Sequence, residues 1–183
     1  MLLTTLLSQH PSAIIDIVRG TPAWVGILLA ALLALGYSAT RTRRVAASRL
    51  ALMPLAMLGL ALWGVQSAFA AGGHLPALLA LWALCFAAVL ALGSRAAAPQ
   101  GTRFDPASRQ FLLPGSWVPM ALIPCVFLIK YGVGVQLALE PALARHLGFA
   151  IAVTALYGLL SGLFAVRALR VLRLARGPML QIG

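Results

Sequence analysis

Acidic residues are almost missing from this chain: Asp16, Asp105 and Glu140 are the only three in 183 residues. Lysine occurs once, as Lys130, and cysteine twice, as Cys85 and Cys125. No CxxC pair exists, so a disulfide-relay role is disfavoured, and the two cysteines read as buried, inert thiols. No carboxylate falls deep inside an apolar run, which weakens any proton relay built on embedded acids. No Ser/His/Asp set, nucleophile elbow, HExxH or phosphate loop is present, so hydrolytic chemistry has no foothold. Met1 to His10 carries neither a basic n-region nor a small-residue cleavage site, so no signal peptide is expected there.

Apolar length is what the chain has in abundance. It is 62% hydrophobic and 9% charged, with a mean hydropathy of +0.98. A soluble domain of this size would expose much of that surface to water, so the solvent must largely be lipid. Five runs are long enough to cross about 30 Å of hydrocarbon as helices: roughly 22–40, 50–70, 76–94, 117–139 and 147–166. They are continuous rather than alternating, which excludes a closed barrel. The expected fold is an all-α integral membrane bundle of five transmembrane helices in a single domain, with a short β-hairpin between helices 3 and 4.

Arginine supplies the orientation. Arg41, Arg43, Arg44 and Arg49 lie between runs 1 and 2. Arg95, Arg103 and Arg109 lie between runs 3 and 4. Arg167, Arg170, Arg173 and Arg176 lie after run 5, against only Arg19 and Arg145 on the other side. This alternation predicts an inner-membrane protein with its N-terminus outside and its C-terminus in the cytoplasm. The net charge of +11 is then mainly a topology signal. Short loops flush with a membrane make a poor duplex-binding surface, so no nucleic-acid partner is expected. The arginines of the 167–183 tail are expected to contact anionic headgroups, at about 1 kcal/mol each.

Local signals subdivide this plan. Residues 1–20 read as an amphipathic segment on the outer interface. Thr21 is expected to cap the first run, with Pro22 in its first turn. In run 2, Pro54 is expected one turn in. Gly59, Trp63, Gln66 and Ser67 share one helix face, expected to point at other helices. Run 3 is the plainest and is expected to contact lipid most. In the 95–116 loop, Arg103 to Leu113 reads as a cytoplasmic hairpin turning at Asp105-Pro106, with Ser116 capping run 4. Asp105 there is expected to anchor the hairpin through Arg103, Arg109 or the 41–49 loop, or to dock a partner. In run 5, Thr154, Gly158 and Gly162 form a small-xxx-small stripe that lets helices approach closely.

Three places could carry function. Lys130 sits near the middle of run 4, where a charge costs a few kcal/mol and calls for a partner, a wet cavity or a task. Tyr157 on the antiparallel run 5 lies at matching depth. The expectation is a Lys130–Tyr157 hydrogen bond joined by Ser161, Gln66 or Thr154. It reads first as a structural clasp, second as a substrate or anion site. His10, His74 and His146 all fall on the predicted outer face, where they could ligate a metal or haem. The leading function is a non-catalytic scaffold or accessory subunit, working with itself or another membrane protein and needing no cofactor. The runner-up is a small-solute or ion transporter centred on Lys130, and the third is an outer-face metal or haem accessory.

Several motifs in order carry a resemblance. Thr21-Pro22-x-Trp24-Val25, Pro54-x-Ala56-Met57, Arg103-x-Asp105, Pro114-Gly115-Ser116-Trp117 and Lys130-Tyr131 together resemble an uncharacterised family of small bacterial inner-membrane proteins. The layout is also similar to that of CcdC-like membrane proteins associated with cytochrome c biogenesis. The first resemblance implies a fold and a location but no activity. The paired cysteines of thiol-transferring membrane proteins are missing here.

Overall fold

The computed structural model describes residues 19–96, 101–106, 108 and 110–175. The expected interfacial segment 1–20 lies almost wholly outside these, as do His10, Arg109 and Arg176. Among the described residues five α-helices run in chain order: α1 (Ala23–Ser38), α2 (Ala47–Phe69), α3 (Leu75–Gly93), α4 (Trp117–Leu139) and α5 (Leu147–Leu174). Short 3-10 turns at Ala70–Gly72 and Pro141–Arg145 join α2 to α3 and α4 to α5. Among the described residues four stretches are long and apolar enough to cross a membrane: Ala47–Gly72, Leu75–Gly93, Trp117–Leu139 and Leu147–Leu174. Helix α1 is equally apolar but has 16 residues, about 24 Å of helix, short of a bilayer's hydrocarbon thickness.

The ends of the helices depart from the sequence reading where tertiary contacts take over. Helix α2 begins at Ala47, so Pro54 lies two turns in rather than one. Helix α5, by contrast, continues past Val166 into the basic tail as expected, to Leu174, taking Arg167, Arg170 and Arg173 into the helix. Ser116 caps α4, its hydroxyl accepting from the Val118 amide at 3.3 Å. Thr21 does not cap α1. Pro22 holds the N-cap position without a side-chain hydrogen bond, and the Thr21 hydroxyl instead meets the Tyr131 hydroxyl on α4. With Pro22 holding the N-cap position, the Thr21 hydroxyl is left to find its partner on a neighbouring helix.

The expected two-stranded hairpin is part of a three-stranded antiparallel sheet. Strands β1 (Arg43–Ala46), β2 (Arg103–Asp105) and β3 (Gln110–Leu113) lie in the order β1-β3-β2. Val45 and Phe104 flank Phe111 in register, and Phe111 is fully buried, its ring 4.8 Å from that of Phe104. A lone hairpin is marginal, and β1 supplies the missing partner. The Ser116 amide also bonds the Ala39 carbonyl at 2.9 Å, tying the start of α4 to the end of α1. Gly115 is required there, because a Cβ would drive into the Thr40 carbonyl.

Helix α5 is central. Half of its apolar window is buried, against 11–12% for the other three candidate spans. It packs most closely on α3, then on α2, while α1 pairs with α4. The main core joins Ala61, Val65 and Phe69 of α2, Leu78 and Trp82 of α3, and Ala150, Val153 and Tyr157 of α5. A smaller cluster of Ile123, Val126 and Phe164 joins α4 to α5.

Two expected faces are corrected. The Gly59, Trp63, Gln66 and Ser67 face of α2 is exposed, Trp63 at 71%. The Ala61/Val65/Phe69 face is buried instead, because it offers apolar bulk that fills the space beside α5. Trp63 and Gln66 lie within two turns of the α2 end, where an amphipathic ring suits a membrane boundary. Run 3 is not the least engaged: α3 makes the tightest helix pairing in the molecule. Its own side chains are ordinary, and the closeness comes from the small residues of α5.

Candidate functional site

Lys130 is 13 residues from the start of α4 and nine from its end, about 20 Å and about 14 Å along the axis. Its side chain crosses toward two other helices. The ammonium donates to the Leu60 carbonyl of α2 at 3.1 Å and lies 4.2 Å from the centroid of the Tyr157 ring on α5. The expected partner is therefore the right residue, but the contact is with the ring face rather than a hydrogen bond to the hydroxyl. A desolvated cation over an aromatic face contributes roughly 2 kcal/mol, and a carbonyl accepting from a charged donor contributes about as much. Together these are of the order of the cost of placing a lysine at mid-bilayer on the insertion scale.

Gly64 makes the node possible. It lies one turn beyond Leu60, and a Cβ there would sit 3.1 Å from the Lys130 Nζ and 3.1 Å from Tyr157 Cε2. The sequence reading missed this glycine. It follows Trp63 without any repeat pattern, and only its spacing of four from Leu60 marks it, once Leu60 is known to be the acceptor.

The other expected members of the polar group do not converge on Lys130. The Ser161 hydroxyl donates to the Tyr157 carbonyl of its own helix at 2.7 Å, so it braces the Tyr157 turn. Gln66 is exposed at the surface of α2. Thr154 is completely buried one turn before Gly158, and its Oγ1 has no hydrogen-bond partner among the described residues; the same holds for the indole N–H of Trp82.

Gly158 and Gly162 bring the α3 and α5 backbones together. A Cβ on Gly158 would lie 2.6 Å from the Trp82 carbonyl and 2.9 Å from the Cys85 Cβ, and one on Gly162 would lie 2.7 Å from the Val89 Cβ. Gly93 of α3 answers them, facing Val166 at 2.7 Å. Beyond it, Arg170 Nε donates to the Gly93 carbonyl at 2.8 Å, and the Arg173 guanidinium bonds the Ser94 carbonyl. The two arginines place positive charge on carbonyls at the negative end of α3, where the Gly93 oxygen also accepts from the Ala96 amide.

The remaining candidates are dispersed. His74 and His146 are both exposed, His10 lies outside the described residues, and no three His, Cys, Asp or Glu side chains among the described residues are grouped to hold a metal. Cys85 is half-buried, but Cys125 is exposed rather than buried, since it points away from the Ile123/Val126 face of α4. Asp105 accepts from the Ser108 hydroxyl at 2.6 Å within its own turn. A cleft lined by Phe69, His74, Leu78 and Arg145 at the end of the bundle opposite the sheet measures about 10 Å³, room for about one water molecule.

A profile described as a family of unknown function, DUF6622, matches residues 1–179. The chain belongs to this family. No curated protein and no solved structure matches it. The DUF6622 match spans all five helices and the sheet, so the Lys130 node and the glycine seam both fall within the family's extent.

Proposed function

We propose that this chain is a bacterial inner-membrane protein of five spans, N-terminus outside and sheet end in the cytoplasm, acting as a non-catalytic scaffold or accessory subunit. The observation that carries this reading is the use of Lys130. Its ammonium is occupied by the Leu60 carbonyl and the Tyr157 ring, so the chain's one lysine holds three helices in register. A transport site would need that group to exchange partners with a passing solute. The short α1 is counted as the fifth span on its apolar composition and on the alternation of the arginine-rich loops; its start is tied to Tyr131, eight residues before the end of α4, so it reaches less far than α4 does.

The test uses the full chain in proteoliposomes and in native membranes. Lys130→Leu is expected to reach the membrane at wild-type level and to co-purify with the same partners. A solute or ion flux present in the wild type and abolished in Lys130→Leu would replace the scaffold by a transporter. Topology is checked separately with reporter fusions after residue 175, which are expected to be active as a cytoplasmic reporter and silent as a periplasmic one.

A further inference from the structure

The helices fall into two tightly packed groups. Helix α1 packs closely on α4 alone among the described helices. A Cβ on Gly36 of α1 would lie 2.9 Å from the Met120 Sδ and 3.2 Å from the Met120 Cα, so the two backbones touch. The Ser116 amide donates to the Ala39 carbonyl at 2.9 Å, and at the other end of α1 the Thr21 and Tyr131 hydroxyls meet. Helices α2, α3 and α5 form the second group, through the main apolar core and the Gly158/Gly162 seam. Between the groups, contact is made by side chains. Ile123 and Val126 meet Phe164, with Leu32, Met57 and Leu160 around them, and Lys130 reaches the Leu60 carbonyl and the Tyr157 ring. Among the described residues no backbone hydrogen bond joins α1 or α4 to α2, α3 or α5. A Cβ on Gly132 or Gly134 of α4 would meet nothing within 4 Å.

Backbones in close contact have one way to fit, whereas an interface of side-chain ends can shear by about 1–2 Å while its contacts follow. The polar contact is the exception on this interface. The ammonium meets its carbonyl and its ring at one level only, and parting them leaves a charge without partners in an apolar layer. We propose that α1 and α4 move as one body against α2, α3 and α5, and that Lys130 is the latch that holds the closed arrangement. The moving body stays tethered at both ends. At one, the β1–β3 pairing joins the segments that lead into α2 and α4; at the other, the Pro141–Arg145 turn leads into α5. It therefore tilts rather than separates. The latch rests on the proposed use of Lys130 as a contact between helices, and not on the scaffold role. A partner that binds the tilted arrangement more tightly than the closed one would switch the chain.

The test is the distance between paired spin labels, read by pulsed electron resonance on the full chain in lipid nanodiscs, with Cys85 and Cys125 replaced by alanine. Labels at exposed positions give three pairs. Ile27 with Leu128 reports on the α1–α4 body, Leu55 with Leu84 on the other group, and Leu84 with Leu128 on the distance across them. With Lys130 in place, each pair is expected to give one dominant distance. In Lys130→Leu the pair across the groups is expected to shift by about 2 Å or more, or roughly to double in width, while both internal pairs keep their distances. An unchanged pair across the groups overturns the latch. Broadening of the Ile27–Leu128 pair to the same extent overturns the single moving body. Should Lys130→Leu not fold, Lys130→Met, which keeps an unbranched side chain and removes the charge, is read in the same way. A solute flux that displaced the scaffold reading would leave these outcomes standing, because the distances are read without solute or partner.

Discussion

Besides its packing on α2, helix α5 meets α3 and α4 through two seams built on opposite principles. Toward α3, Gly158 and Gly162 let backbone meet backbone, leaving no room for a Cβ beside the Trp82 carbonyl or the Val89 side chain. Toward α4, the backbones stay apart and long side chains reach across: Ile123, Val126 and Phe164 in the apolar part, and Lys130 onto Tyr157 and Leu60 in the polar part. The first seam gains dispersion energy from closeness and has one solution, because any added Cβ collides. The second tolerates repacking but is specified by one charge that can be satisfied at one level only. Closeness therefore fixes the α3–α5 pair, and a charge fixes the register of α4.

The comparison can be broken most forcefully at the glycine seam. Gly158→Leu is expected to destabilise the chain by about 3 kcal/mol or to prevent assembly, read as the midpoint of unfolding in mixed micelles. A wild-type midpoint would mean that α3 and α5 do not approach as described. Gly64→Val comes next, at about 1–2 kcal/mol. Its methyls must displace Nζ and the Tyr157 ring, whereas Gly64→Ala should cost little because the lysine end is flexible. At the charged seam, Lys130→Leu is expected to change stability by no more than about 1 kcal/mol. Removing the charge saves a burial cost similar to what the two contacts return. Its signature is loss of register, seen as new disulfide cross-links between cysteines introduced at neighbouring levels of α2 and α4.

Tyrosine sharpens the same contrast with the smallest effect. Tyr157→Phe keeps the ring face and is expected to shift stability by under about 0.5 kcal/mol. A loss of about 1 kcal/mol or more would point back to a hydroxyl hydrogen bond. Tyr157→Leu combined with Lys130→Leu in a double-mutant cycle should show a coupling of about 1–2 kcal/mol. On the α3 side, Arg170→Gln is expected to cost about 1 kcal/mol through the lost bond to the Gly93 carbonyl, with no coupling to Lys130.

Much of this was legible without coordinates, where the signal is local. The apolar runs mark α2 to α5 within a few residues at most ends, Ser116 announces the start of α4, and Gly158 with Gly162 announces a close helix neighbour. Lys130 and Tyr157 were pairable because antiparallel helices convert residue count into depth. What failed was directional. The polar look of Gly59, Trp63, Gln66 and Ser67 suggested an inward face, yet α2 turns Val65 and Phe69 inward. Helical spacing says which residues share a face and not which way that face is turned. Strand β1 was hidden because Arg43-Arg44-Val45-Ala46 has no alternation to read; its pairing is imposed by β3.

By itself the sequence determines that this chain is built of long apolar runs, 62% hydrophobic residues with few polar ones to cover them, a composition suited to helices that cross a membrane. It also determines where the helices lie and which charge stands alone. The tertiary structure decides what that charge touches. It shows that the lysine meets a ring face and a backbone carbonyl, that an unremarked glycine makes room for both, and that two of the tail's arginines finish a neighbouring helix. Those outcomes depend on contacts between residues 27 to 77 positions apart (Lys130 with Tyr157 and Leu60, Arg170 with Gly93). Only the packed chain brings such pairs together.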